Sequence, residues 1–584
     1  MPGELSGRLG PLGGVARRAA ASIPLLLLVL LGAHQLRALR RENINWDEFA
    51  LLDRAAKTIR SGDLQGGGRP GLTVLVLVPF VSGCGDSVRA IVTARHLWLG
   101  FTIAAVIGLW FLIRRFGAGA APTLAAMTLT MVPVWLRWSL QVRTDQPAIA
   151  AALWGGVALV ASRKRPALAL AAGALCGLAC LFTQKALYVV GLVGAVTVID
   201  HLTCGEVQRR RELTRAAALV VGAAAVLLAY LGLVRLLYRP PTLPTLERQL
   251  AIFDYYRTHF GFRAYRGMLP SLRPHAMLFA LLLVGSIDAL VRRTADRRRL
   301  AGAWLCLGLG LGVGWFHSAA FPYFWMTLGL FPAVALGLSW PAVAVTLRRH
   351  TPHLSSFLVI GLGIYLLHGG VASALHRWSQ DTQRPQRQAM AFIQRNFSSR
   401  ARGFQAESAL FCRRDPDPLP VYFVHRILAM TEKNNAELVR EFRERPIAFL
   451  IAHRFTPFAR SVQGFLESHY VLYRDEVLVP GQRIRGPASG AGAIDIHVPG
   501  AYRWRVLSGA PGRLAVDGQP LVPGQVVSLD RGVHRLALLD DVSHGMLALD
   551  LRDPPAAVGA PFYAWEVVSE IAPPYQPPWT SILW

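Results

Sequence analysis

The strongest constraint on this chain is an alternation along its first two thirds. Long apolar stretches are broken by short connections rich in arginine, the first stretch showing as a ten-residue apolar run before Arg37, Arg40 and Arg41. The stretches run near residues 23–32, 92–113, 117–136, 147–162, 167–183, 186–201, 216–237, 276–291, 300–316, 323–346 and 355–375. About eleven such segments predict a polytopic α-helical membrane protein, because hydrocarbon accepts a backbone only when its polar groups are satisfied within the helix. Composition agrees: 53% of the residues are hydrophobic and only 17% are charged, too few charges for a soluble chain of 584 residues. The run Leu72–Val81 is too short to cross and reads as a re-entrant or interfacial segment. Arg17 and Arg18 precede the first apolar stretch as in a signal peptide. No small-residue cleavage site follows, and Arg37, Arg40 and Arg41 come instead, so a retained first helix is expected.

The short connections also set an orientation. Arg114–Arg115, Arg163–Lys164–Arg165, Arg209–Arg210–Arg211, the Arg292–Arg299 cluster and Arg348–Arg349 fall on one side. The positive-inside rule makes that side the cytoplasm, with the N-terminus inside and the C-terminal region outside. The two long outer loops, 40–91 and 238–275, carry many arginines too, which suits an anionic ligand. A formal charge of +27 often signals nucleic acid, but the excess is arginine, and the only lysines are Lys57, Lys164, Lys185 and Lys433. With no zinc-finger, RNP-type or basic-region pattern, the charge belongs to the bilayer and its loops, and a nucleic-acid partner is not expected.

Beyond Leu375 polar residues and prolines become frequent. Residues 376–480 read as a small α/β unit with a helix at Asn434–Glu444 and strands at Ile447–Ala452 and Tyr470–Tyr473. Gly481–Gly492 reads as a linker. Residues 493–584 carry short strands at Ile494–Val498, Tyr502–Leu507, Arg513–Val516, Val526–Leu529, His534–Leu539 and Met546–Leu551, with a hairpin turn at Asp517–Gly518; this spacing predicts a β-sandwich. The six cysteines lack metal-ligand spacing. Cys176 and Cys180 sit one helical turn apart in an apolar span, and Cys84 and Cys412 both fall on the outer side, where a disulfide can form.

Four constellations carry candidate chemistry. Asp47 and Glu48 follow the first span; adjacent acids at a membrane surface suit a cation or a substrate proton, and on spacing alone a plain helix start explains them slightly better. Arg137-Trp138 and Arg143-Thr144-Asp145-Gln146 lie at the boundary between the third and fourth spans. Arg is suited to bidentate phosphate contacts there, while Asp145-Gln146-Pro147 also fits a helix cap. Lys185, in Thr183-Gln184-Lys185, stands at the outer end of the fifth span, where a phosphate ligand is the preferred reading over a snorkelling side chain. His317, Pro322, Tyr323 and Trp325 mark a later outer junction as an aromatic belt, and Tyr256, Arg263, Tyr265, Arg266, Arg273 and His275 add a diffuse Arg–aromatic set in the long loop.

In order and side, these residues resemble the GT-C class of polyprenyl-phosphate-dependent membrane glycosyltransferases, in the branch of protein O-mannosyltransferases and the lipid A aminoarabinose transferase. The shared pattern is Asp47-Glu48, then Arg69-Pro70-Gly71 leading into the short apolar run. It continues with Arg143-x-Asp145, Thr183-x-Lys185, and Pro322-Tyr323-Phe324 with the later Pro332. The likeness covers residues 20–375, a transmembrane catalytic domain spanning 1–375, and the C-terminal strands look like accessory carbohydrate-binding modules.

The resemblance implies transfer of a sugar from a polyprenyl-phosphate-linked donor to a hydroxyl of a glycan, lipid or protein acceptor. Transfer would occur with inversion, on the outer face of the bacterial cytoplasmic membrane. It implies Asp47 as general base, with Glu48 and Asp145 orienting the acceptor or, at Asp145, holding a divalent metal cation. Arg143, Lys185 and Arg137 would bind the donor phosphate, and Arg69, Tyr256, Arg273, His317 and Tyr323 would contact substrate. The rival reading is a lipid or glycan transporter or flippase with an outer receptor-like domain. Mostly uninterrupted spans, no internal repeat and acids confined to the outer loops favour the enzyme.

Overall fold

The computed structural model describes residues 32–64, 71–116, 121–130, 133–163, 165–203, 209–238, 276–292, 297–316, 324–350, 381–405, 410–412, 432–451, 460–474, 477–487 and 491–555. The chain divides into two compact units. A helical unit comprises Met1–Glu42, Lys57–Phe80 and Val92–Asp381, and a mixed unit comprises Asn43–Ala56, Val81–Ile91 and Thr382–Trp584.

Helices α1 (Trp46–Ser61), α2 (Leu72–Val81), α3 (Ser87–Arg114), α4 (Ala121–Thr130) and α5 (Pro133–Trp138) come first. They are followed by α6 (Asp145–Ala161), α7 (Ala167–Phe182), α8 (Ala186–Thr203), α9 (Arg209–Leu237), α10 (Ala276–Val291), α11 (Arg297–Phe316), α12 (Trp325–Leu328) and α13 (Leu330–His350). Most are apolar on every face, the pattern of helices surrounded by hydrocarbon or by other helices. By length and composition, Ser87–Arg114, Arg211–Leu237 and Met326–Leu347 can each cross a membrane, and Leu72–Val81, Asp145–Ala161, Ala167–Phe182, Ala186–Ile199 and Leu282–Val291 are shorter apolar helices. The expected first and last spans lie largely or wholly outside the described residues. Within the expected span at 117–136, the described residues of α4 and α5 are helical, and 117–120 and 131–132 lie outside the described residues.

Backbone proximity drives the packing of α7 on α9. A Cβ added at Gly173 would lie 1.9 Å from the carbonyl oxygen of Leu219, and one at Gly222 would lie 2.1 Å from that of Leu170. Only glycine permits this contact, and Gly173-x-x-x-Gly177 presents the small-residue stripe that membrane helices use for close approach. A larger buried cluster joins Leu109 and Ile113 of α3, Met127 of α4, Leu153 of α6, Val196 of α8 and Phe331 of α13.

In the mixed unit, α14 (Arg384–Asn396), α15 (Glu432–Glu444) and α16 (Arg460–His469) accompany eleven strands. These are β1 (Gly403–Gln405), β2 (Phe449–Ile451), β3 (Tyr470–Arg474), β4 (Val477–Gly486), β5 (Ala491–Ile496), β6 (Gly500–Ser508), β7 (Leu514–Val516), β8 (Gln519–Leu521), β9 (Val526–Leu529), β10 (Gly532–Leu538) and β11 (Val542–Leu549). One sheet runs β1-β2-β4-β11-β6-β9 with β3 paired to β4; the other runs β5-β10-β7-β8. The expected linker at Gly481–Gly492 is corrected: its first half is the end of β4, which pairs with β2 and β3 at one end and with β11 at the other. Gly481 is there because a Cβ would meet the Leu547 carbonyl oxygen at 2.5 Å, so the residue that reads as a breaker is a close strand contact.

Trp504, Tyr502 and Leu547 from the first sheet and Ile494, Leu514 and Leu536 from the second share one buried core. Asp517 (φ 51°) and Gly518 (φ 83°) form the two-residue turn between β7 and β8. Both are left-handed, which matches the twist of the flanking strands. A Cys84–Cys412 disulfide closes a separation of 328 residues within this unit. Ile44 and Gln386 exchange hydrogen bonds at 2.7 and 2.9 Å, tying the segment before α1 to α14.

Candidate active site

The clearest concentration of paired charge in the helical unit forms where α5 ends and α6 begins. Residues 139–144 are irregular yet buried, so their backbone groups need partners. Gln146 supplies two, its Nε2 donating at 2.9 Å to both the Trp138 and the Gln141 carbonyl oxygens. The Trp98 indole N–H donates to the Arg143 carbonyl oxygen. This bracing fixes Asp145 in the first turn of α6, where the helix dipole favours a negative charge.

Asp145 is 2% exposed and sits between two cations: Lys185 Nζ donates to its Oδ1 at 3.1 Å, and Arg143 Nε lies 3.9 Å from Oδ2. Lys185 reaches it from the turn between α7 and α8. There Thr183 leaves the helix in extended conformation and accepts the Ala186 N–H at 3.0 Å. The Arg143 guanidinium lies 5.2 Å above the Trp138 ring and donates to Gln141 Oε1 at 3.3 Å. Arg137 shares that ring at 5.4 Å, and its Nε stands 3.8 Å from Glu42. Three cations therefore face two carboxylates, leaving a local excess of positive charge that suits a phosphate.

The structure thus brings together Arg137, Arg143, Asp145 and Lys185. Asp47 and Glu48 belong to the mixed unit, at the start of α1. There Asn45 Oδ1 accepts the Asp47 N–H and Glu48 Oε2 accepts the Asn45 N–H, both at 3.0 Å, a reciprocal capping box. Glu48 is wholly buried in that role and Asp47 remains half-buried. Of the two acids, Asp47 has the freer access to a substrate. Arg69, Tyr256, Arg273, His317 and Tyr323 lie outside the described residues. Their neighbours Gly71 and Phe324 are placed: the Gly71 N–H donates to the Tyr230 hydroxyl at 2.9 Å, and Phe324 packs edge-on against Tyr188 at 5.9 Å.

One charged residue escaped the sequence reading. Arg95 is completely buried in α3, its Nη1 donating to the Leu39 and Glu42 carbonyl oxygens at 3.1 and 2.9 Å. An arginine inside an apolar span was the available signal. A divalent cation does not fit at Asp145, because its oxygens face Lys185 and Arg143 rather than further acids or imidazoles.

No protein-family model matches the chain, and no curated protein sequence matches it. Solved structures do. ArnT from Cupriavidus metallidurans in the apo state aligns at TM-score 0.53 and 16% identity, covering 79% of this chain and 98% of that one. ArnT bound to undecaprenyl phosphate aligns at TM-score 0.51 and 16% identity, covering 78% and 97%. The Archaeoglobus fulgidus oligosaccharyltransferase in the apo form gives TM-score 0.45 at 10% identity, covering 91% and 98%. At these identities the likeness is one of architecture: this chain shares the fold of ArnT.

Proposed function

We propose that this protein is a membrane glycosyltransferase that moves a sugar from a polyprenyl-phosphate donor to a hydroxyl acceptor, with inversion. The observation that carries the reading is the buried Asp145–Lys185–Arg143 group, set in a fold whose relative ArnT was crystallised with undecaprenyl phosphate. Lys185 and Arg143 bind the donor phosphate and stabilise the charge that grows on it as the anomeric carbon–oxygen bond breaks. Asp145 orients both cations before the donor arrives. Asp47 takes the proton from the acceptor hydroxyl while that oxygen attacks the anomeric carbon from the opposite face, and polyprenyl phosphate leaves. Glu48 supports Asp47 by capping its helix.

The reaction is assigned to the outer face of the bacterial cytoplasmic membrane. The Cys84–Cys412 disulfide supports an oxidising compartment for the mixed unit, and the arginine distribution supports the same side. The two sheets of residues 491–549 are read as a carbohydrate-binding sandwich that holds a glycan acceptor.

The test uses purified full-length protein and a panel of labelled polyprenyl-phosphate sugars, scored for released lipid phosphate. Asp47→Asn should abolish release while the protein still inserts into the membrane. Full activity in that variant removes Asp47 from the mechanism, and lipid movement across a bilayer without release supports a flippase instead.

A further inference from the structure

The mixed unit holds a second polar cluster. His469, at the end of α16, meets Asp495 of β5 and His497 just beyond it, and one ligating atom from each lies within 4.8 Å of the others. Asp495 and His497 are two residues apart along the strand and share a face, while Ile494 and Ile496 turn into the core.

The hydrogen bonding makes this more than proximity. His469 Nδ1 lies 2.7 Å from the Phe465 carbonyl oxygen. A carbonyl can only accept, so Nδ1 carries the proton and Nε2 of the neutral ring presents a lone pair. That lone pair faces Asp495 Oδ2 at 3.5 Å, and His497 Nε2 faces the same oxygen at 3.2 Å. The His497 side chain is 9% exposed, and its Nε2 has no hydrogen-bond partner. Two imidazole nitrogens thus converge on one carboxylate oxygen without a hydrogen bond to it from His497, an arrangement of donor atoms that a metal ion can occupy. Ligands on a tetrahedral zinc-type ion at about 2.0–2.1 Å stand roughly 3.3 Å apart, close to the two nitrogen–oxygen distances here, and all three donors lie within 4.8 Å of one another. The second shell fits as well: a ligating imidazole characteristically gives its other N–H to a backbone carbonyl. Phe465 stacks on the His469 ring at 4.2 Å and packs against His497 at 5.5 Å, holding both rings in place.

We infer that His469, Asp495 and His497 form a binding site for a divalent transition metal of the zinc type. Two nitrogens and a carboxylate oxygen are the donors such an ion selects over magnesium or calcium. Asp495 is 41% exposed, so the fourth position opens to solvent and takes water. The ion cross-links α16, whose Phe465 and Leu466 belong to the α/β core, to the edge strand of the four-stranded sheet.

The experiment uses the full-length protein in detergent, purified without a histidine tag and stripped with a chelator. Zinc binding is measured by competition with a chromophoric chelator, and melting temperature is followed with and without added Zn²⁺. One equivalent should bind and raise the melting temperature, and Co²⁺ should give visible absorption bands that Zn²⁺ abolishes. Asp495→Asn, a change at a half-exposed position that leaves the core intact, should weaken Zn²⁺ affinity at least 10-fold, and His497→Gln should weaken it further. Asp145→Asn should leave it unchanged. Absence of Zn²⁺ binding in the unaltered protein overturns the inference. So does binding that persists equally in Asp495→Asn and His497→Gln, which locates the ion elsewhere.

Discussion

In the helical unit, Leu236 and Val291 are 81% and 77% exposed while Asp145, Arg143 and Arg95 are buried. In the mixed unit, Trp504 and Tyr502 are wholly buried while Arg513 and Asp540 pair in the open. The same amino acids are sorted in opposite directions, which is what two solvents require. Hydrocarbon carries no penalty for bare leucine and a severe one for a lone charge, so charges inside are paired and few. Water inverts both terms, so the sheets hide their aromatics and spend their charges on the surface. The difference also locates chemistry. A buried ion pair is a doubtful source of stability, because desolvation offsets its attraction. Its persistence at Asp145 and Lys185 therefore favours a binding role over a structural one.

The contrast can be broken at either unit, and the largest effect is expected in the helical one. Asp145→Asn leaves Lys185 and Arg143 without their carboxylate in a buried site. It should lower stability by about 3–5 kcal/mol and sharply reduce transfer, read by thermal unfolding in detergent and by lipid-phosphate release. Gly173→Leu drives a side chain into the Leu219 carbonyl and should lower the yield of folded protein by separating α7 from α9. In the mixed unit, Cys84→Ser removes the closure of a very long loop and should cost about 2–4 kcal/mol, with no effect on the Asp145 group.

The smallest effect concerns His534. Its hydrogen bond to Asp517 at 2.6 Å, with a second to the Asp530 carbonyl, raises its pKa above the ordinary imidazole value, and the same bond to His534 lowers that of Asp517. A raised histidine contributes stability below its unfolded value and loses it as pH rises through the folded one. A lowered aspartate contributes above its unfolded value and loses it as pH falls through the folded one. The pair is fully present between the ordinary carboxylate and imidazole values and fades on either side. Asp517→Asn should flatten the decline of melting temperature above neutral pH, by little, because the pair is largely at the surface.

Much of this molecule was legible in sequence wherever a local pattern decides the outcome. The Asp517–Gly518 turn followed from two residues that tolerate left-handed backbone, and α6 from Asp145-Gln146-Pro147. The strands at 526–529 and 470–474 followed from alternation between turn signals. Long-range contact was not legible. Gly481 read as a breaker because sequence does not reveal the Leu547 carbonyl beside it. At the site, the residue types around Asp145 suggested phosphate chemistry. Nothing in the spacing said that Lys185, forty residues on, would donate to it, or that His469 would meet His497.

The most direct test is single-turnover release of lipid phosphate from a labelled polyprenyl-phosphate sugar, comparing the unaltered protein with Lys185→Met. The account predicts release by the unaltered protein and a loss of about 10²–10³-fold in rate for Lys185→Met, the scale for removing one charge-stabilising group. Equal rates in the two proteins would contradict it, and would leave the Asp145–Lys185 pair as a structural bridge between α6 and the α7–α8 turn.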